Sequence, residues 1–231
     1  HGADLRKIGL PMAFTLRAGV RPWELQKGRA KTLDDEFDAR TAIPISGRFR
    51  TLRGQRYYFA RDGHWLRARD IYLLPKRHKY PEWATGEQKW VDISLANQTL
   101  VAWQGRTPVY ATLLSSGQDR LGDAKTGPAT PRGVFKIKAK HITAPIDRRE
   151  VGQRHTVLEA PWAMDLEGES LAITGAYWIR NFGDAQGFHN IALCPIDARW
   201  LYHWSDLRVP DGWHSATRGD KDEGTIIYVH K

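Results

Sequence analysis

Short alternating stretches of aromatic, aliphatic and polar residues fill the part of the chain between residues 40 and 75. The segments 48–52 and 55–60 flank the pair Arg53-Gly54, and a turn with an Asp-Gly pair follows the second segment. Short strands separated by two-residue connections of this kind are typical of β-hairpins. The pattern therefore predicts a series of short antiparallel strands here.

A change in composition divides the chain between residues 76 and 87. Charged residues, Pro and Gly are mixed there without hydrophobic periodicity, as in linkers. The predicted regions are an N-terminal part over 1–79 with a small barrel over about 40–75, a linker over 80–86 and a second domain over 87–231. We expect residues 1–39 to add strands and loops to the barrel.

One helix is predicted in the second domain. Pro195 follows a short apolar segment, and proline suits the first position of a helix. Within this helix Asp197 places negative charge in the first turn, where the helix dipole favours it, and Trp200 and Leu201 are expected to turn inward. The chain contains no apolar run of about 20 residues, so no transmembrane segment is predicted.

A series of short motifs follows the linker. These are a predicted hairpin over 88–103, a strand over 107–117 that ends in Ser-Gly, the turn Thr130-Pro131-Arg132-Gly133, the pairs Pro161-Trp162 and Tyr177-Trp178, the segment 182–201 and the turn Pro210-Asp211-Gly212-Trp213. Together they resemble the YkuD-type L,D-transpeptidases, bacterial enzymes that cross-link peptidoglycan through a cysteine thioester. The resemblance implies a mainly β fold, a β-sandwich with a short helix after the active-site segment. Residues 40–75 resemble, more loosely, a bacterial SH3-like barrel.

The catalytic positions depart from that family. Its Ser/Thr-His-Gly-Cys motif falls on residues 187–190, where Asn190 occupies the cysteine position. An asparagine amide cannot attack a carbonyl carbon and form an acyl-enzyme. Several changes within a retained scaffold predict an L,D-transpeptidase-like protein that has lost its nucleophile. The degenerate positions are Thr174, Ile179, Gly187, Phe188, His189 and Asn190.

Cys194, the one cysteine of the chain, offers an alternative nucleophile. It lies four residues beyond Asn190, which is roughly 13 Å along an extended strand. The predicted helix begins next to it, and a helix N-terminus can lower the pKa of a thiol. Cys194 is therefore either a reactive thiol or a small buried apolar residue.

His189 is a candidate base if the protein is active, because a histidine acts as a base only beside a group that it can activate. Its neighbours Phe188 and Asn190 offer no such group, so we expect His189 to line a remodelled cleft. A metal site built from His189, His203 and His214 has no recognised ligand spacing, and neither a metal ion nor a cofactor is expected.

Ten tryptophans are many for 231 residues. They favour either a surface that stacks on glycans or a core anchored by large aromatic side chains. Trp90, Trp162, Trp178 and Trp200 match scaffold positions and are expected to support the core or the cleft, whereas Trp83 and Trp213 are expected to be exposed. The predicted binding residues are Trp178, Arg120 and Trp213.

The balance of 35 basic and 26 acidic residues gives a net charge of +9 and favours anionic surfaces. Peptidoglycan carboxylates and wall phosphates would fit this charge. No nucleic-acid-binding motif accompanies it, so nucleic acid is not an expected partner. We expect an exported protein of the periplasm or cell envelope, whose signal peptide was removed before His1.

Three functions are open at this stage. The first is a catalytically degenerate module that binds peptidoglycan peptide stems or scaffolds a cell-wall protein. The second is an active transpeptidase or carboxypeptidase of the same substrate class that uses Cys194. The third is an interaction protein outside the wall that kept only the fold.

Overall fold

The computed structural model describes residues 1–147, 149, 159–168, 170–219 and 224–231. The chain divides into two compact units. One unit comprises residues 3–80, and the other comprises residues 81–231 together with the first two residues. The described part of the chain contains no helix that is long and apolar enough to cross a membrane.

The unit of residues 3–80 is built mainly from short strands. They are β1 (Ala3–Asp4), β2 (Met12–Thr15), β3 (Trp23–Gln26), β4 (Arg29–Thr32), β5 (Ala42–Leu52), β6 (Gln55–Ala60), β7 (Trp65–Arg67) and β8 (Ile71–Leu74), with a four-residue helix α1 (Leu5–Ile8) and a 3-10 turn at Ala68–Asp70. Seven of these strands form one sheet in the order β4-β3-β7-β6-β5-β2-β8. Its core lies on one face and contains Ile43, Ile45, Ala60, Leu66 and Ile71.

The hairpin expected around Arg53-Gly54 is present between β5 and β6. Leu52 pairs with Gln55, so the connection consists of two residues. Arg53 and Gly54 both have positive φ, 49° and 75°. Two positive φ values are what a type I′ turn requires, which explains why glycine serves at the second position.

The larger unit contains the remaining strands and one regular helix. The strands are β9 (Lys89–Ser94), β10 (Thr99–Gln104), β11 (Thr107–Ser115), β12 (Gly133–Pro145), β13 (Glu159–Leu166), β14 (Ala172–Gly175), β15 (Ile191–Leu193), β16 (Ser215–Thr217) and β17 (Ile226–His230), and the helix is α2 (Pro195–Trp204). They pair in the order β11-β10-β9-β17-β12-β13-β14-β15, with β16 beside β12. Because β11 also pairs with β15, this path of paired strands returns to its start. The prediction of a mainly β unit with a short helix after residue 194 is confirmed.

Large aromatic side chains anchor the core of this unit. Trp90 and Trp103 are fully buried and stack with ring centroids 5.4 Å apart. The indole Nε1 of Trp90 donates to the Gly105 carbonyl at 2.7 Å, so burial leaves this polar atom paired. Trp83 departs from expectation: it is half-buried, because its ring packs edge-on against Tyr228 with centroids 5.8 Å apart.

Helix α2 begins at Pro195, as predicted, with Cys194 as the N-cap residue. Leu201 is buried in the main core. Trp200 is half-buried and stacks on Tyr110 with ring centroids 4.0 Å apart. These contacts hold the apolar face of the helix against the core. The segment that precedes the helix therefore lies against the sheet.

Candidate functional site

The segment between β14 and β15 is irregular and is held by the end of β11. The Gly187 amide donates to the Ser116 carbonyl, and the Gln118 amide donates to the Gly187 carbonyl, both at 2.9 Å. Ser115 Oγ donates to the Asp184 carbonyl at 2.7 Å. These bonds fix the course of the chain just before residues 188–190.

Gly117 permits a close approach of three backbone segments. A Cβ at this position would lie 2.4 Å from the carbonyl oxygens of Phe188 and Pro128, so no larger residue fits. Thr130 Oγ1 accepts from the Gly117 amide at 2.9 Å and donates to the His189 carbonyl at 2.8 Å. The Ser-Gly strand end and the Thr-Pro turn, both singled out in the sequence, therefore meet at Phe188 and His189.

Asn190, which is predicted to stand at the position of the family's cysteine, has a structural contact. Its Oδ1 accepts a hydrogen bond from the Ala172 amide at 2.9 Å, at the first residue of β14. The side chain is half-buried. Asn190 thus supports the pairing of β14 with β15 and presents no nucleophile.

His189 lines a cleft next to this segment. Its Nε2 lies 3.0 Å from the Gly127 carbonyl oxygen. Because a carbonyl oxygen can only accept, Nε2 carries a proton. In the neutral imidazole Nδ1 is then the acceptor nitrogen, so the tautomer restricts what His189 can do chemically.

The cleft has a volume of about 630 Å³. Two cations, Lys125 and Arg132, line it together with one carboxylate, Asp123. A concave site with a few polar groups is suited to orient a small ligand or a peptide segment. The complete lining comprises Leu121, Gly122, Asp123, Ala124, Lys125, Thr130, Pro131, Arg132, Ser170 and His189.

Phe188, which is predicted to stand at the position of the family's base, packs between two groups. Its ring centroid lies 4.2 Å from that of His189, and the Arg149 guanidinium carbon lies 4.4 Å from the Phe188 ring centroid. Arg149 also binds Asp147, with Nη2 and Oδ2 2.5 Å apart, and its hydrogen bonds lower the pKa of Asp147 to about 2. A phenyl ring cannot accept a proton, so this position has no acid–base role.

Other predicted site residues lie apart from the cleft lining. Thr174 is buried in β14 and pairs with Ala192 of β15. Arg120 is exposed beside the lining loop, and Trp213 is 62% exposed in the turn before β16. Ile179 and Trp178 are half-buried, and among the described residues the Trp178 Nε1 has no hydrogen-bond partner.

Cys194 is half-buried at the N-terminus of α2. Its carbonyl accepts from the Ala198 amide at 2.9 Å, as an N-cap residue does, and its side chain makes no capping bond. Cys194 does not line the cleft. The structure therefore separates the one thiol from His189 by the length of β15.

Asp197 has partners that the sequence did not indicate. It is 2% exposed, and its Oδ1 accepts from the Tyr110 hydroxyl and the Gly2 amide at 2.9 Å, while Oδ2 accepts from Thr112 Oγ1 at 2.5 Å. Burial, followed by the charge of Asp197, raises the pKa of the Tyr110 hydroxyl. No motif or spacing had pointed to these residues, which come from β11 and from the start of the chain.

Lys140 is a second buried ionisable side chain beside the same helix. It is 1% exposed, and its Nζ donates to the carbonyls of Tyr202 and Ser205 at 2.6 and 2.8 Å, at the C-terminal end of α2. A cation at this end complements the helix dipole, as Asp197 does at the other end. Asp197 and Lys140 thus hold the helix that follows residues 187–193.

The three histidines considered for a metal site have separate contacts. His203 packs on Trp162 with ring centroids 5.4 Å apart, and the His214 Nε2 lies 3.2 Å from Thr143 Oγ1. Within the described ranges, no three His, Cys, Asp or Glu side chains are placed to hold one metal ion.

Comparison with known proteins links this geometry to a family. The YkuD family, the L,D-transpeptidase catalytic domain, matches residues 88–229, which is more than half of the chain. No curated protein matches. Among solved structures, an L,D-transpeptidase from Mycobacterium smegmatis is 15% identical, with 99% of this chain and 86% of that chain covered and a TM-score of 0.48.

Two further solved structures match about two thirds of this chain. The L,D-transpeptidase of Xylanimonas cellulosilytica is 19% identical over 67% of this chain and 65% of that chain, with a TM-score of 0.45. A cysteine-to-serine mutant of the Enterococcus faecium L,D-transpeptidase is 17% identical over 63% of this chain, with a TM-score of 0.45, and the present chain covers only 50% of its length. On the strength of the family match, this chain belongs to the YkuD family of L,D-transpeptidase catalytic domains.

Proposed function

We propose that this protein is a catalytically degenerate L,D-transpeptidase of the bacterial cell envelope, which binds peptidoglycan peptide stems or scaffolds a cell-wall enzyme. The observation that carries the proposal is Asn190. At the nucleophile position it has a side chain that cannot form an acyl-enzyme and that is engaged by the Ala172 amide.

The groups that would assist a nucleophile are also replaced. Acyl transfer by the family's mechanism needs a thiolate, a base that takes its proton and donors that hold the oxyanion. Phe188 has no ionisable group, and His189 donates through Nε2 to Gly127. The cleft itself persists, with Lys125 and Arg132 in its lining, which supports recognition of an anionic peptide stem without chemistry.

Two finer features belong to the same proposal. We infer that the larger unit is a β-sandwich and that residues from about 40 to 75 form an SH3-like barrel, as in other wall-associated proteins. Export to the periplasm or cell envelope follows from the substrate class of the family. An interaction protein outside the wall remains the competing function, and binding to sacculi separates the two.

An active enzyme that uses Cys194 is the second candidate. Its support is that the Cys194 side chain makes no capping bond at the N-terminus of α2. Against it stands the position of Cys194 outside the cleft lining.

The protein is expected to form no covalent adduct with a carbapenem and to release no terminal D-Ala from tetrapeptide muropeptides, as measured by mass spectrometry. Asn190→Cys is expected to remain inactive as well, because the new thiol would have Phe188 where a base is needed, and strand β14 would lose the acceptor of the Ala172 amide. A carbapenem adduct or D-Ala release that disappears in Cys194→Ala would establish the active enzyme instead.

Binding to sacculi is expected to depend on the cleft and to weaken, without disappearing, at about 0.3 M salt, because screening affects only the charged contacts. The double change of His189 and Asn190 to alanine should reduce co-sedimentation several-fold. The matched change of Asn97 and His203 to alanine removes the same side-chain types from exposed positions and should have little effect.

Arg132→Gln provides a cleft variant that leaves the Ala172 contact in place, and it should also weaken binding. Thermal melts of each variant show whether the fold is intact. If the two double variants and Arg132→Gln all bound sacculi equally well, the cleft would not be the site that recognises the wall.

A further inference from the structure

The positive charge of the protein belongs to the smaller unit. Residues 3–80 hold 18 of the 35 Lys and Arg residues but only 8 of the 26 Asp and Glu residues, which is a formal net charge of +10. The rest of the chain has 17 basic and 18 acidic residues and is close to neutral. The long-range attraction of an anionic polymer is therefore strongest toward the smaller unit.

Part of this charge lies on one face of the sheet, opposite the core. Register places Arg50, Tyr57 and Arg67 in one row across β5, β6 and β7. The neighbouring row on the same face contains Phe59 and Trp65, and Trp65 pairs with Trp23 of β3. Side chains two residues apart share a face, so Arg48 joins Arg50 here. We call these residues the arginine–aromatic face.

The guanidinium groups of this face lie over aromatic rings. The Arg48 guanidinium carbon is 4.1 Å from the Phe59 ring centroid, and that of Arg50 is 5.5 Å from the Trp65 ring. The Arg67 guanidinium carbon lies 5.0 Å from the Trp23 ring. Cation–π contacts of this kind hold the planar donors in place before a ligand arrives, so less side-chain entropy is lost on binding.

Of the three arginines on this face, Arg48 and Arg50 lack acidic partners in the described part of the chain. Arg67 is ion-paired with Asp70, with Nε and Oδ2 2.7 Å apart. Arg48 and Arg50 are exposed, and within the described residues neither forms an ion pair with a carboxylate. Their Cα atoms, two residues apart on β5, are about 7 Å from each other.

We propose that the arginine–aromatic face binds a linear phosphodiester polymer that lacks bases, such as poly(glycerol phosphate). Guanidinium groups bind phosphate with two parallel hydrogen bonds, and a row of them matches repeated phosphates along a chain. Single-stranded nucleic acid fits less well, because its bases need open ring faces on which to stack. Here guanidinium groups already cover the rings of Phe59, Trp65 and Trp23.

This site lies in residues 3–80 and is independent of the cleft in the other unit, so either proposal can fail alone. The test is fluorescence anisotropy with the full chain and three labelled probes of similar length: poly(glycerol phosphate), oligo-dT and poly-glutamate. We expect poly(glycerol phosphate) to bind at least 10-fold more tightly than the other two at 0.1 M salt.

The double variant Arg48→Gln, Arg50→Gln should raise the Kd for poly(glycerol phosphate) at least 10-fold. The slope of log Kd against log salt should fall by about 1 to 2, as expected when two phosphate contacts are lost. The matched control is Arg29→Gln, Lys31→Gln, which removes two exposed charges from β4 at positions that pair with Gln26 and Glu24, on the opposite face from Trp23. This control should change the Kd less than 3-fold.

An equal loss of affinity for poly(glycerol phosphate) in the two double variants would show that general charge attraction causes the binding. That result would overturn the proposal. Tighter binding of oligo-dT with quenching of tryptophan fluorescence would assign the face to nucleic acid instead. Binding of poly-glutamate as tight as that of poly(glycerol phosphate) would contradict a phosphate site.

Discussion

Asp197→Ala is expected to lower the free energy of unfolding by about 3–5 kcal/mol, because three donors lose their acceptor and each buried donor left unsatisfied costs about 1–3 kcal/mol. The change would leave the hydroxyls of Tyr110 and Thr112 and the amide of Gly2 without their acceptor. It would also remove the negative charge from the first turn of α2, where the dipole favours it. Urea unfolding at neutral pH measures the loss.

Two further variants test whether the lost hydrogen bonds of Asp197 cause the loss of stability. Asp211→Ala removes an exposed carboxylate from the turn near Trp213 and should change stability by less than about 0.5 kcal/mol. Asp197→Asn keeps one acceptor oxygen and should fall between the wild type and the alanine variant. A loss below about 1 kcal/mol for Asp197→Ala would mean that the hydroxyls find other acceptors and that the network does not hold α2.

Lys140 is expected to make the protein more stable as the pH rises from about 7 to about 10. Burial lowers the pKa of Lys140 to about 7, against the opposing attraction of Asp206, from an ordinary value of 10.5. Between these two pKa values the unfolded chain binds a proton that the folded protein does not. The free energy of unfolding therefore increases with pH in this window, by up to about 1.4 kcal/mol per pH unit.

The contribution of Lys140 is isolated by comparison with Lys140→Met, which has no ionisable group at this position. Stability of the wild type minus that of Lys140→Met should rise between pH 7 and 10 and stay level below pH 7, where Lys140 is protonated in both states. Lys138→Met, at an exposed position of the same strand, should show no such rise relative to the wild type. A difference that stays constant from pH 6 to 10 would show that Lys140 keeps its ordinary pKa in the folded protein.

Local signals in the sequence determined several elements. Pro195 marked the start of α2 because its ring fits the first helical position, and Arg53-Gly54 marked the β5–β6 turn because glycine accepts positive φ. The order of short motifs after residue 87 indicated the family, and the family match over residues 88–229 agrees with it. The same order of motifs predicts that Asn190 stands at the nucleophile position, and this stays a prediction.

The burial of Lys140 was decided by tertiary structure. Strict alternation along β12 would place Lys136, Lys138 and Lys140 on one face. Pairing with β13 shifts between Ile137 and Ala139, so Lys138 is an extra residue and the side chains beyond it change sides. Lys140 therefore points to the C-terminal end of α2, and no sequence pattern signals a bulge of this kind.

The hydrogen bonds of residues 187–190 were likewise decided by contacts between distant parts of the chain. The sequence by itself determined which residues stand at positions 187–190 and that no cysteine is among them. Only the tertiary structure decided that Asn190 accepts from Ala172, that His189 donates to Gly127, and that Cys194 lies outside the cleft. The physical reason is that hydrogen-bond partners and burial depend on which strands become neighbours, and strand pairing joins residues far apart in the chain.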